Sequence, residues 1–87
     1  MRLQQLRFLC EITRQNLNLS KTAESLHTSQ PGISKQIQLL EEELGVDIFV
    51  RNGKRIVKIT PPGEAIIAIA ERMLQDAENL KSVGQEF

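Results

Sequence analysis

Apolar residues recur through Ile33, Ile37, Leu40 and Leu44 at spacings of four, three and four, the period of a helix with one buried stripe. Gln30, Ser34, Lys35 and Gln38 consequently fall on the other face, toward solvent or a partner, as polar donors and acceptors gathered in the N-terminal half of that helix. Upstream, Ser20 precedes residues 21–26, and its hydroxyl can accept from the free amides of a first turn and so cap a short helix. The turn His27-Thr28-Ser29 offers two more hydroxyl caps. Pro31 lies in the first turn of the next helix, where its missing N–H has no partner to lose. The pattern predicts two helices joined by a tight polar turn, the second starting near Ser29 or Gln30 and stopped by Gly45.

Residues 46–51 carry the apolar and β-branched content of a strand, and Asn52-Gly53 is a strong hairpin signal because both residues tolerate positive φ. Residues 54–60 return as a second strand, with Ile56 inward beside Val57 or Ile59. Thr60 then caps a further helix, with Pro61 and Pro62 at its start and Glu64 placed to complete a capping pattern. Along it Ile66, Ala70, Met73, Ala77 and Leu80 follow spacings of four, three, four and three, a heptad-like seam widened by Ile67 and Leu74. Packing back on its own domain accounts for Ile66, Ile67 or Ala70. The rest, out to Leu80, calls for a second copy of the same helix. The expected fold is mainly α: a winged helix-turn-helix of three helices and a two-stranded β-wing over residues 1–60, then a long linker and dimerisation helix over residues 61–87.

A chain of 87 residues makes one domain with a modest core. Its 11 basic and 11 acidic residues cancel, which argues against indiscriminate nucleic-acid binding. Their distribution changes the picture. Residues 1–58 hold nine Lys or Arg against six acids, and residues 59–87 hold two against five. From Arg51 to Lys58 there are four basic residues and no acid, so the hairpin tip is a cationic spot.

Helix-turn-helix proteins set the N-terminal residues of the second helix against base edges in the major groove. Gln30 and Gln38 can pair with adenine, Ser34 with either base type, and Lys35 with guanine or a phosphate, while the Pro31 ring can touch a thymine methyl. Ser20, Thr28, Ser29, Arg51, Lys54 and Arg55 are the candidates for the DNA backbone. Glu41, Glu42 and Glu43 repel phosphate and must point away from a duplex or lie beyond it. For any one of these residues the plain alternative is a solvated surface helix, or a Lys-protected edge strand. A winged-helix module that binds protein or oligomerises is the competing function.

Enzymatic readings lack partners. His27 is the sole histidine, in the interhelix turn, and Cys10 the sole cysteine, on an apolar helix beside Leu6 and Leu9. No convergent set for catalysis or metal binding is visible, so no cofactor is expected. One cysteine precludes an internal disulfide, and no signal peptide or membrane-length apolar run is present, which predicts a cytoplasmic protein.

The segments Gln5-Leu6-Arg7-Phe8, Thr22-Ala23-Glu24-Ser25-Leu26-His27-Thr28-Ser29-Gln30-Pro31, Ser34-Lys35-Gln36-Ile37, Leu40-Glu41, Leu44-Gly45, Phe49-x-Arg51 and Thr60-x-x-Gly63 together resemble the N-terminal DNA-binding domain of LysR-type transcriptional regulators. Within that family, Asn16-Leu17-Asn18-Leu19-Ser20, residues 28–36 and Asn52-Gly53-Lys54 look most similar to the CysB type, regulators of cysteine biosynthesis and sulfur assimilation. Thr22, Leu19 and Pro62 stand where many members carry Ala, an aromatic and Ala. The resemblance implies sequence-specific binding to an inverted-repeat promoter site as a dimer or tetramer, through an antiparallel pairing of linker helices. It also implies a small-molecule effector domain, absent from these 87 residues, for which acylated serine and sulfur species are the implied ligands.

Overall fold

In the computed structural model, which describes residues 1–87, the chain runs α1 (Leu3–Arg14), α2 (Leu19–Ser25), α3 (Gln30–Leu44), β1 (Phe49–Asn52), β2 (Arg55–Ile59) and α4 (Pro61–Glu86). Leu6, Phe8, Leu9 and Ile12 of α1 meet Leu19 and Ala23 of α2 and Ile33, Ile37 and Leu40 of α3. Ile48, Phe49 and Ile56 close this core on the wing side, and Ile67 and Ala70 close it from α4. A mainly helical winged helix-turn-helix results, with α4 extending away from it.

The cap of α2 is Asn18 and not Ser20. Its Oδ1 accepts from the Lys21 amide at 2.9 Å, and the helix begins at Leu19, which places that side chain in the core. Asn caps as well as Ser does, so the apolar residue decides between two adequate caps. The chain reaches Asn18 through Asn16 and Leu17, both left-handed at φ 55° and 67°. Asn tolerates that region, and Leu17 is held there by packing against the core. Ser29 caps α3 as expected, accepting from the Gly32 amide at 3.1 Å, and Gly45 ends it at φ 75°. Leu44 departs from the expected stripe: it is 37% exposed.

Glu11 ties α1 to α2. Its carboxylate accepts from Gln15 Nε2 at 2.8 Å and from Ser25 Oγ at 2.7 Å, with Arg14 alongside at 3.3 Å. Those two hydrogen bonds, and then the Arg14 charge, hold its carboxyl below the usual glutamate range, against the opposing effect of burial.

The hairpin turns one residue later than Asn52-Gly53 suggests. Asn52 pairs with Arg55, so the loop is Gly53-Lys54, and only Gly53 has positive φ, at 63°. Gly at the first loop position is the type II′ arrangement. Arg51 faces Ile56 while Val50 faces Lys58, which leaves Val57 as a bulge. That extra residue settles which side chains turn inward. Ile56 is buried, Val57 and Lys58 are outward, and Ile59 returns to the inner face opposite Phe49.

Thr60 caps α4 through Oγ1, which accepts from the Gly63 amide at 3.0 Å and donates toward the carbonyls of Asp47 and Ile48. Glu64 does not complete a capping box. The Thr60 amide is already donated to the Ile48 carbonyl at 2.9 Å, and the position that would reach it is occupied by Gly63. Gly63 is there for space: a Cβ would stand 2.2 Å from the Ile48 carbonyl oxygen. Replacing Gly63 with Ala is expected to force α4 off its seat and destabilise the domain by about 1–3 kcal/mol. Chemical denaturation checks this, and an unchanged midpoint would show that the contact relaxes freely.

Candidate nucleic-acid interface

The inward stripe of α3 is enclosed, with Ile33, Ile37 and Leu40 at zero exposure, so its opposite face is fixed in direction. Gln30, Pro31, Lys35 and Gln38 are exposed and Ser34 is half-buried. A hollow of about 650 Å³ separates this face from the wing. It is lined by Gln30, Pro31, Ser34 and Gln38 on one side and by Arg51, Gly53 and Lys54 on the other, with Leu19 at its end. Four of the five base-edge candidates are thus brought together with the hairpin tip; Lys35 is exposed but lies off this hollow.

A second hollow, of about 320 Å³, adjoins the start of α2. Gln30 and Lys54 belong to both, and Ser20, Arg55, Asn16 and Asn18 join them here. The sequence marks the two asparagines only as part of a CysB-type segment, not as candidate DNA contacts. Asn16 is left-handed in the turn before α2 and Asn18 is the cap of that helix, roles that carry no charge or period. Across the hollow Gln30 Nε2 donates to Ser20 Oγ at 2.8 Å.

The ion pairs involve only the N-terminal amine, Arg14, Arg51 and Lys81. Lys35, Lys54 and Arg55 are therefore free cations on or beside the two hollows. Thr28 and Ser29 are exposed in the turn before α3, and the Ser29 Oγ that accepts from Gly32 keeps its own proton to donate. The amide-rich start of α3 adds a partial positive charge at the same end. Side-chain donors, free cations and a helix N-terminus converge on one side, which suits an extended polyanion.

Arg51 has a different place from the one its position in the cationic run suggests. It shares the inner face of the hairpin with Ile56, and its Nη1 lies 3.0 Å from Oε1 of Glu41. Glu41 is buried, and its Oε2 accepts from the amides of Ile48 at 2.7 Å and Phe49 at 3.3 Å. Arg51 Nε and Nη2 are buried without partners. Its charge is thus largely answered within the fold, and the exposed cationic tip reduces to Lys54 and Arg55, with Lys58 further along β2. Glu41 had a legible signal: it follows Ile37 by four residues and so sits on the apolar face, unlike the exposed Glu42 and Glu43.

Along α4, Ile69, Met73, Leu80 and Val83 are exposed. Ile69, Met73 and Ile66 border a shallow apolar hollow with Met1, Leu6 and Leu44. Ala70 belongs to the domain's own core, at 1% exposure, and is not available to a partner; Ala77 is half-buried. Cys10 is half-buried, and burial first, then Glu71, pushes its thiol up, with Arg14 acting the other way. No three His, Cys, Asp or Glu side chains are grouped to hold a metal ion, and no helix is long and apolar enough to cross a membrane.

The sequence profile of bacterial regulatory helix-turn-helix proteins of the lysR family matches residues 3–64. Over all 87 residues the chain is 58% identical to the HTH-type transcriptional regulator SsuR of Burkholderia cenocepacia and 52% identical to the HTH-type transcriptional regulator CysB of Haemophilus influenzae. It spans 28% and 27% of their lengths. Among solved structures, the DNA complex of the CbnR DNA-binding domain superposes with a TM-score of 0.90 at 31% identity, covering 99% of this chain and 97% of that one.

Glu41→Gln keeps an oxygen for the Ile48 and Phe49 amides but turns an N–H toward Arg51. It is expected to destabilise the domain by about 2–3 kcal/mol, below the cost of deleting a buried partner because the remaining oxygen still serves the two amides. It is also expected to speed amide exchange in β1. Denaturation and hydrogen exchange measure both, and parental values in each would show that the pair does not hold the wing.

Proposed function

The chain belongs to the lysR family of bacterial regulatory helix-turn-helix proteins, and from that premise we propose that it is the DNA-reading head of a transcriptional regulator. The start of α3 enters the major groove with Gln30, Pro31, Ser34 and Gln38 toward base edges and Lys35 toward a base or an adjacent phosphate. Ser20, Thr28 and Ser29 meet the flanking backbone, and Lys54 and Arg55 bring the wing onto phosphate. Arg51 supports the wing from within. The observation that carries this reading is the hollow that gathers the polar face of α3 and the hairpin tip on one side of the domain.

The genes concerned are those of sulfur assimilation and cysteine biosynthesis. Two things support this: the similarity to SsuR and CysB along the whole chain, and the CysB-type segments around Asn16-Leu17-Asn18 and Asn52-Gly53-Lys54. The balanced overall charge favours the other reading, a winged helix that docks on protein. Salt dependence separates the two. Binding to a mixed-sequence duplex weakens steeply with salt when phosphates displace counterions, whereas a protein contact has no such requirement.

Two copies act together in this reading, paired through the exposed stripe of Ile69, Met73, Leu80 and the half-buried Ala77, with Ile66 at its edge. A stripe of that extent on a small domain marks a partner surface.

Replacing Lys54 and Arg55 with Gln is expected to weaken binding to all sequences alike and to flatten the log affinity against log salt slope by about one to two. A titration on mixed-sequence duplex measures it, and an unchanged slope would remove the wing tip from the interface. Met73→Glu puts a charge into the middle of the apolar stripe. Sedimentation is expected to show a folded monomer, with weaker binding to a duplex carrying two half-sites. A parent chain that stays monomeric at high concentration would overturn the pairing.

A further inference from the structure

Gln30 heads α3 with an exposed, flexible side chain, and a flexible side chain makes a poor reader unless something fixes it. What fixes it here lies ten residues away on another helix: Nε2 donates to Ser20 Oγ at 2.8 Å. We propose that Ser20 is a positioning residue that orients the Gln30 carboxamide to read adenine, and that it links this base contact to a DNA phosphate. The proposal rests on the assignment of Gln30 to the base-reading face given above.

Ser20 is itself held in place. Its neighbours Leu19 and Thr22 are buried, Asn18 caps the turn beneath it, and the Thr22 hydroxyl is bonded to the Asn18 carbonyl at 2.8 Å. The exposed hydroxyl therefore projects from a fixed turn. A carboxamide nitrogen carries two protons, and Ser20 takes one of them. In this proposal Ser20 accepts from the N–H trans to Oε1, which leaves the cis N–H and Oε1, neither bonded within the chain, as a donor and an acceptor side by side. That pair complements N7 and N6–H2 of adenine, whereas guanine presents two acceptors in the same groove.

The Ser20 hydroxyl accepts from Gln30 and keeps its own proton. It sits on the hollow that Lys54 and Arg55 also line, where phosphate is the ligand those cations suit. A phosphate oxygen accepting that proton would complete a chain of hydrogen bonds from phosphate through Ser20 and Gln30 to the base, each bond polarising the next.

The test uses the 87-residue chain and a randomised duplex library, sequencing what is bound. Ser20→Thr and Ser20→Val are compared because they share a shape and differ in the hydroxyl, and Gln30→Ala identifies the position that Gln30 reads. The parent is expected to enrich adenine at one position of each half-site, and Gln30→Ala to erase that preference. Ser20→Val is expected to lower it by about two- to ten-fold, the cost of immobilising one side chain, while Ser20→Thr retains it. On the Gln30→Ala background Ser20→Val should change nothing further at that position.

A Ser20→Val protein that weakens on all sequences equally, with its adenine preference intact, would overturn the proposal and leave Ser20 as a phosphate contact alone. Enrichment of guanine at the Gln30-dependent position would overturn it as well. If Gln30→Ala alters no base preference, the assignment of Gln30 as a reader fails and the proposal falls with it. Loss of preference in Gln30→Ala beside an unaffected Ser20→Val overturns the positioning role only.

Discussion

Ile48 is where the three parts of the domain are joined. Its amide donates to the buried carboxylate of Glu41 at the end of α3, and its carbonyl accepts from the Thr60 amide and lies against the bare Cα of Gly63 at the start of α4. Its side chain has no exposed surface. The backbone of one residue therefore sets the angle of the wing to α3 on one side and the departure of α4 on the other. None of these bonds can be exchanged for water, because the groups are enclosed, and a buried backbone group without a partner is costly. Gly63, Thr60 and Glu41 are constrained in residue type by this joint.

The interface inherits its shape from the same joint. Glu41 pins the amides of Ile48 and Phe49 with one oxygen and Arg51 with the other, so the strand entering the hairpin is held on the end of α3. The bulge at Val57 then keeps Ile56 and Ile59 inward on the return strand, and the free cations Lys54 and Arg55 stand across a hollow from Gln30 and Ser34. Cationic residues near a recognition helix are useful only at a fixed separation from it. The carboxylate that supplies this rigidity is buried, which reconciles an acidic C-terminal half of α3 with the nucleic-acid surface proposed at its N-terminal half.

The charge division along the chain has a spatial counterpart. The basic excess of residues 1–58 includes the wing tip, while the acidic excess lies on α4, which leaves the core and gives the molecule its 49 Å long axis. A helix rich in acids at the DNA surface would repel it. Set apart, the same helix can offer an apolar stripe to a second copy without cost to the electrostatics of the proposed reading face.

Local chemistry and periodicity determined much of this protein. The stripe of Ile33, Ile37 and Leu40, the Ser29 cap, the Gly45 stop and the Thr60 cap each depend on neighbours within about one helical turn, so the elements and the polar face of α3 could be read from the chain itself. The ordered segments from Gln5 to Gly63 carried the family likeness in the same way. Other features depend on residues far apart in sequence. Leu19 selects Asn18 over Ser20 as a cap by entering a core built from other helices. Phe49 and Ile56 fix the bulge and the hairpin register by both turning inward, and Ala70 leaves the α4 seam because it is buried where α4 packs on α1. Arg51 looked like its cationic neighbours until the fold set it beside Glu41, and Ser20 reached Gln30 only when two helices crossed. Tertiary structure decided these because burial and pairing are properties of the assembled core, whereas caps and periods are properties of a single turn.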